Sequence, residues 1–196
     1  VRIALATANP GKLRELRAIL SDIPAEWVAV APGVEEDGQT YHENAARKAC
    51  AVARATGGWA LGEDSGIEVD ALGGRPGVWS ARFAGPHATD EERNRKLLEL
   101  LRGVPAQQRT ARYRAAVVLA APDGSVRTHA EGVCEGRIAE APRGTGGFGY
   151  DPVFWLPERG VTMAELPPEE KNRISHRARA LDALRPALLS VCAAGA

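Results

Sequence analysis

The chain has 196 residues, 44% hydrophobic and 26% charged, which is globular composition with enough length for a real core. Its 25 basic and 25 acidic side chains cancel, which excludes a protein that lives on nucleic acid through a broad basic face but not one with a small basic pocket. Three widely spaced cysteines (Cys50, Cys134, Cys192) form no CxxC or metal-finger spacing and fit a reducing compartment. No stretch approaches ~18 apolar residues, and "VRIALATANPGK" at the start has too short an apolar run for a signal peptide. The expectation is a soluble cytoplasmic protein with neither membrane nor polymeric nucleic acid as partner.

In chain order, "RIALATA" (2–8) reads as a buried strand and "NPGKLRELRAIL" as a helix, with Asn9 as cap, Pro10 at the first helical position, and Leu13, Leu16 and Leu20 on one face. "EWVAVA" is a second strand. "TYHENAARKACAVARATG" opens with a capping box, Thr40 to Glu43, and closes at Gly57. "WALGED" is a short strand ending on carboxylates, and "GIEVDAL" is a separate strand after it. A second box, Thr89 to Glu92, starts a helix that stops at Gly103. Two extended runs around "PDG" make a hairpin, "RGTGGFGYDPVFW" is a glycine-rich loop entering a strand, and "TMAELPPEEKNRISHRARALDALRPALLSV" is helical with interruptions, Pro186 among them. There are no repeats and no linker. Early alternation of strands and helices followed by a hairpin predicts an α/β fold with a mixed sheet.

Four stretches carry chemistry. "TANPGK" (Thr7 to Lys12) joins a strand to a helix start, where unpaired N–H groups and the helix dipole make a phosphate cradle; it is not a Walker loop, since GxxxxGK[ST] is absent. "GTGGFGYD" contains GxGxxG, but Pro142 precedes it and "DPVFW" follows, so the strand-before, helix-after context of a dinucleotide fold fails. What remains is a flexible loop carrying Phe148 and Tyr150, either a platform for a stacked base or hydrophobic staples. "EDSG" lacks the nucleophile elbow, with Glu63 where the first glycine belongs, which sets Ser65 aside as a hydrolase nucleophile. In "EEKNRISHRARAL", Lys171 and Arg177 would stand about 240° apart on one continuous helix. They converge only if the helix breaks, and Ser175 can cap a new one. Carboxylates at 35 to 37 and 63 to 70, facing positive charge at Lys12 and at 171 to 179, would bind a polyphosphate bridged by Mg²⁺.

The segments "TANPGK", "EEDGQTYHENAARKA", "EDSGIEVDALGGRPGVWSARFAG", "GTGGFGYDPVF" and "TMAELPPEEKNRISHRARAL" together resemble the inosine triphosphate pyrophosphatases, the house-cleaning dITP/XTP pyrophosphatases, over residues 7 to 181. The resemblance implies hydrolysis of ITP, dITP and XTP to the monophosphate and pyrophosphate with Mg²⁺. It also implies a homodimer and one domain, 1–196, of two lobes, with an elongated mixed sheet flanked by helices and a central substrate cleft. On the matching positions it assigns Thr7, Ala8, Asn9, Pro10, Gly11 and Lys12 to the triphosphate. Asp64 becomes proton acceptor and metal ligand, Ser65 a substrate contact, and Glu35 the second acidic metal ligand, with Glu36 as its alternative. Phe148, Gly149, Tyr150 and Asp151 are assigned to the base loop; Lys171, His176 and Arg177 are further nucleotide contacts. One departure is visible: bacterial relatives often carry two aspartates before "SG", whereas this chain has Glu63 and Asp64, and the longer first carboxylate bears on metal geometry.

In this reading Asp64 takes a proton from the attacking water. With an ordinary pKa of about 3.9 it is a weak base, so activation by the metal is expected to contribute more. Donors from Arg177 or His176 at the 6-oxo edge would reject ATP, discrimination that can reach roughly 10⁴. Guanine shares that edge, so GTP must be excluded at C2 by a residue the sequence does not reveal. A pyrophosphatase for modified pyrimidine nucleotides and a non-catalytic nucleotide sensor are the competing classes.

Overall fold

The computed structural model describes residues 1–195. The chain begins with β1 (Arg2–Ala6), α1 (Pro10–Ile19) and β2 (Glu26–Val30). β1 and β2 pair in parallel, Arg2 opposite Glu26 and Ala6 opposite Val30. Asn9 starts α1 as expected: its Oδ1 accepts the Lys12 N–H at 3.1 Å. Then come α2 (Tyr41–Thr56) and β3 (Trp59–Val69), the latter parallel to β1 with Ile3 opposite Trp59. At the head of α2 only half of the predicted box forms. Thr40 Oγ1 accepts from the Glu43 N–H, whereas the Glu43 carboxylate turns back to the Gln39 N–H at 2.8 Å. At the head of α3 (Asp90–Leu100) both halves form between Thr89 and Glu92.

β4 (Thr110–Ala120) and β5 (Val126–Ile138) are the predicted hairpin, and β6 (Phe154–Leu156) and β7 (Val161–Thr162) continue it antiparallel. The seven strands lie in the order β2-β1-β3-β4-β5-β6-β7, a mixed sheet in an α/β protein. Two expected strands are in fact one. "WALGED" and "GIEVDAL" run together as β3, eleven residues through Ser65 and Gly66. Ser-Gly reads as a turn by local chemistry, but a strand with β1 on one side and β4 on the other is held extended by its ladders, and pairing overrides propensity. The helix break, by contrast, lies where the spacing requires it: α4 (Pro168–Ile174) ends at Ser175, which is extended, and α5 (His176–Ala194) runs on through Pro186.

The chain divides into two compact units, and β3, β4 and β5 contribute residues to both. The first comprises Val1–Ser65, Ala115–Gly132 and the segment from His176. Its core is built on Ile3, Leu5, Leu16, Leu61, Val117 and Leu181. The second comprises Gly66–Arg114 and Val133–Ser175, with Ile67, Leu97, Leu101, Tyr113, Phe154 and Met163 at its centre. Cys134 and Cys192 are buried among these hydrophobes, and none of the three cysteines is in a disulfide. Among the described residues no helix is long and apolar enough to cross a membrane.

One close approach in the first unit positions the chemistry. A Cβ on Gly62 would fall 2.2 Å from the Ala45 carbonyl oxygen and 2.9 Å from the Ala49 nitrogen, so α2 lies backbone against backbone on β3 at this point. Residues two apart on a strand share a face. The face that touches α2 at Gly62 therefore carries Asp64, and α2 delivers Asn44 and Lys48 to it.

Candidate active site

The strand-to-helix turn after β1 is built from its own side chains. Thr7 Oγ1 accepts the Asn9 N–H at 3.1 Å and Asn9 Oδ1 accepts that of Lys12. Neither turn uses the N–H of Ala8 or Gly11, and the first turn of α1 carries no acidic residue that would oppose an anion. Ala8, Asn9 and Pro10 are exposed, so the cradle opens to solvent.

Asp64 is 4% exposed. Asn44 donates to its Oδ2 at 3.0 Å, and the Lys48 ammonium stands 3.8 Å from Oδ1. The same ammonium lies 2.6 Å from Glu36 Oε1. Burial raises the Asp64 pKa above the ordinary carboxylate range; Lys12 and Lys48 pull it down, Glu36 and Glu63 push it up, and the net is upward. A base at this position is thus better matched to neutral pH than an unperturbed aspartate.

Glu63, the departure noted in the sequence, points the other way on the strand. Its carboxylate takes Lys12 Nζ at 2.8 Å and Arg177 Nη2 at 3.1 Å. Arg177, 1% exposed, also donates to Ser65 Oγ at 3.2 Å and pairs with Glu15 from α1. Ser65 is two residues from Glu63, so one guanidinium reads one face of β3. Burial alone would raise Glu63, but Arg177, then Lys12 and Lys48, outweigh it and hold this carboxyl well below the usual range. Burial likewise opposes the Lys12 charge, yet Glu63 and Asp64 leave the ammonium more firmly protonated than in free lysine. Glu63 is therefore the counter-ion that fixes the cradle lysine, and its length bears on Lys12 and Arg177.

The second unit holds the glycine-rich loop. Asp151, 2% exposed, organises it: Tyr113 donates to Oδ1 at 2.9 Å, and the Phe148 N–H and Lys171 Nζ donate to Oδ2 at 3.0 and 2.5 Å. The Lys171 ammonium also stands 4.8 Å from the centre of the Phe148 ring. Tyr150 is buried with its hydroxyl on the Ser80 carbonyl, so of the two loop aromatics Phe148 is the one available for stacking.

Of the residues singled out by the sequence, Thr7 to Lys12, Asp64, Ser65, His176 and Arg177 lie in the first unit and Phe148 to Asp151 with Lys171 in the second. On the two sides of the break at Ser175, Lys171 binds Asp151 and Arg177 binds Glu15 and Glu63. Of the adjacent glutamates, Glu36 shares Lys48 with Asp64, whereas Glu35 is exposed on the wall of an open hollow with Asp37, Arg47 and Arg54. Glu15, Asn44, Lys48 and Tyr113 were missed. A signal existed for two of them. Asn44 and Lys48 sit at i and i+4 on the face of α2 that also buries Tyr41, Ala45 and Val52, and polar residues on a buried stripe need a partner.

Among the described residues no three His, Cys, Asp or Glu side chains group into a metal cage. Mg²⁺ that travels with a polyphosphate does not need one, because one or two protein carboxylates and the phosphate oxygens complete its octahedron. Asp64 and Glu36, on either side of Lys48, fit that requirement.

A profile of the Ham1 family matches residues 3–187. A dITP/XTP pyrophosphatase of Geobacter sulfurreducens is 51% identical over 94% of this chain and 94% of its own. One of Geobacillus kaustophilus is 54% identical over 93% and 91%. Among solved structures, a HAM1 protein from Coxiella burnetii superposes with a TM-score of 0.87 at 41% identity, over 97% of this chain and 99% of that one.

Proposed function

The chain belongs to the Ham1 family, and from that premise we propose that it hydrolyses dITP, ITP and XTP to the nucleoside monophosphate and pyrophosphate, clearing non-standard purines from the nucleotide pool. Water oxygen bonds to the α-phosphorus, the bond from that phosphorus to the bridging oxygen breaks, pyrophosphate leaves, and the water proton goes to Asp64. The observation that best supports this is a buried carboxylate, raised above its ordinary pKa, in the same unit as an amide-lined cradle and its lysine.

Thr7 to Lys12 take the triphosphate, with Lys12 held ready by Glu63. Asp64 and Glu36 hold Mg²⁺, which when bound supplies Lewis acidity and neutralises phosphate charge. Lys48 keeps the two carboxylates from repelling each other until then. Ser65 contacts the nucleotide; Phe148 offers the base its face, on a loop set by Asp151 and Lys171. His176 and Arg177, the first two residues of α5, supply the donors for the 6-oxo edge.

Pyrophosphate release over ITP, dITP, XTP, GTP, ATP and dUTP, with and without Mg²⁺, tests the reading. Fast turnover of the first three only, and only with metal, is the expected result. Preference for a pyrimidine, or tight binding without release, overturns it. In the same assay Glu36→Gln should raise the Mg²⁺ needed for half-maximal rate by at least about tenfold, the scale known even for outer-shell partners. Glu35→Gln should leave it unchanged, and the opposite pattern gives the second ligand role to Glu35.

We place the protein in the cytoplasm as a homodimer. Three cysteines outside any disulfide support a reducing compartment. Trp79, 56% exposed with the Arg82 guanidinium 4.4 Å over its ring, supports a pairing surface, as aromatic and Arg side chains concentrate at interfaces. Trp79→Glu should shift sedimentation from dimer to monomer; a dimer that persists excludes this surface.

A further inference from the structure

We infer that Asp90 and Asn94 are positioning residues for base selection: together they hold the single residue between Phe148 and Tyr150. The inference rests on the base-loop reading above. Gly149 is bound at both its backbone groups from α3. Its N–H donates to Asp90 Oδ2 at 2.8 Å, and its carbonyl oxygen accepts from Asn94 Nδ2 at 3.1 Å. The capping box at Thr89 fixes where α3 begins, so Asp90 is its first residue and Asn94, four further on, lies on the same face. Arg93 donates to Asp90 Oδ1 at 2.5 Å, which leaves Oδ2 aimed at the loop.

Gly149 needs such a hold. Its φ is +63°, a conformation glycine adopts freely, and freedom is what a stacking platform must not have. Asp151 already fixes the Phe148 N–H, so the ring's backbone is tied on one side by Asp151 and on the other by the pair from α3. Asn94 has no competing purpose. It is 5% exposed, and its Oδ1 is buried without a partner among the described residues, so its bond to Gly149 is the one that compensates for burying an amide. Both residues also line a cavity of about 600 Å³ together with Leu98, Phe148 and Pro152. Space there means that without the pair the loop has room to relax.

Steady-state kinetics on ITP and ATP test this with Asn94→Ala, Asp90→Ala, Asp90→Asn and Phe148→Ala. Asn94→Ala and Asp90→Ala should each raise KM for ITP by about tenfold and narrow the ITP-to-ATP ratio of kcat/KM, with kcat for ITP held within about twofold. Asp90→Asn keeps an acceptor for the Gly149 N–H and should retain near wild-type values. Asp90 is 40% exposed, so its replacements fold even where loss of buried Asn94 does not. If Phe148→Ala shifts KM and preference while both alanine variants of the pair leave them unchanged, the inference is overturned and the base loop stands. If Phe148→Ala changes neither, the base-loop reading itself fails and takes the inference with it.

Discussion

Asp64→Asn loses turnover by about 10³-fold or more, within the range for removing a general base, and yet the metal-free protein melts at a higher temperature than the wild type. Asparagine keeps the shape and can still meet Asn44, but it can neither take the proton nor serve as a carboxylate ligand. The stability gain follows from the direction of the Asp64 shift. A carboxyl whose pKa is raised by folding is carried in its charged form at a cost whenever the pH lies above the folded value. That cost appears as pH rises through the folded pKa and is absent below the unfolded one, about 3.9. The advantage of the variant in EDTA should therefore be present at neutral pH and vanish in acid. Near-normal turnover would remove Asp64 from the reaction; equal melting at neutral pH would show that its charge is not opposed by the fold.

Arg177→Ala should lower folding stability by roughly 3–5 kcal/mol, the cost of leaving a buried ion pair without one partner. Glu15 and Glu63 would then share one interior region, with Lys12 as the cation left in contact with Glu63. Arg177→Lys restores the charge but not the fork that spans Glu15, Glu63 and Ser65, and should recover only part of the loss. Denaturant midpoints read this directly. Per folded molecule, the alanine variant should also show a narrower preference for ITP over ATP. A full stability loss with an unchanged preference would leave Arg177 as a brace for Lys12 and give base reading to other groups.

Much of this was written locally. The caps at Asn9 and Thr89, the hairpin around "PDG" and the break at Ser175 all follow from residues within one turn of the feature, and local chemistry decides such features. The continuity of β3 through Ser65 and Gly66 was hidden because strand pairing with distant segments decides it. The site divides in the same way. Asp64 and the cradle could be named from their motifs, but the identity of Asp64's neighbours depends on α2 approaching at Gly62. That approach is a property of packing, so Lys48 and its position between Asp64 and Glu36 were out of reach. The hold on Gly149 was hidden too, since 55 residues separate Asn94 from its partner.

The order in which the two units are completed during synthesis also follows from the chain's division. Every residue of Gly66–Arg114 and Val133–Ser175 has been translated before His176 is added. The first unit waits for that last segment, because Arg177 is 162 residues from Glu15 and 114 from Glu63. A nascent chain that stops short of it carries both glutamates without the Arg177 guanidinium, and Lys12 is left with a carboxylate that lacks its second cation.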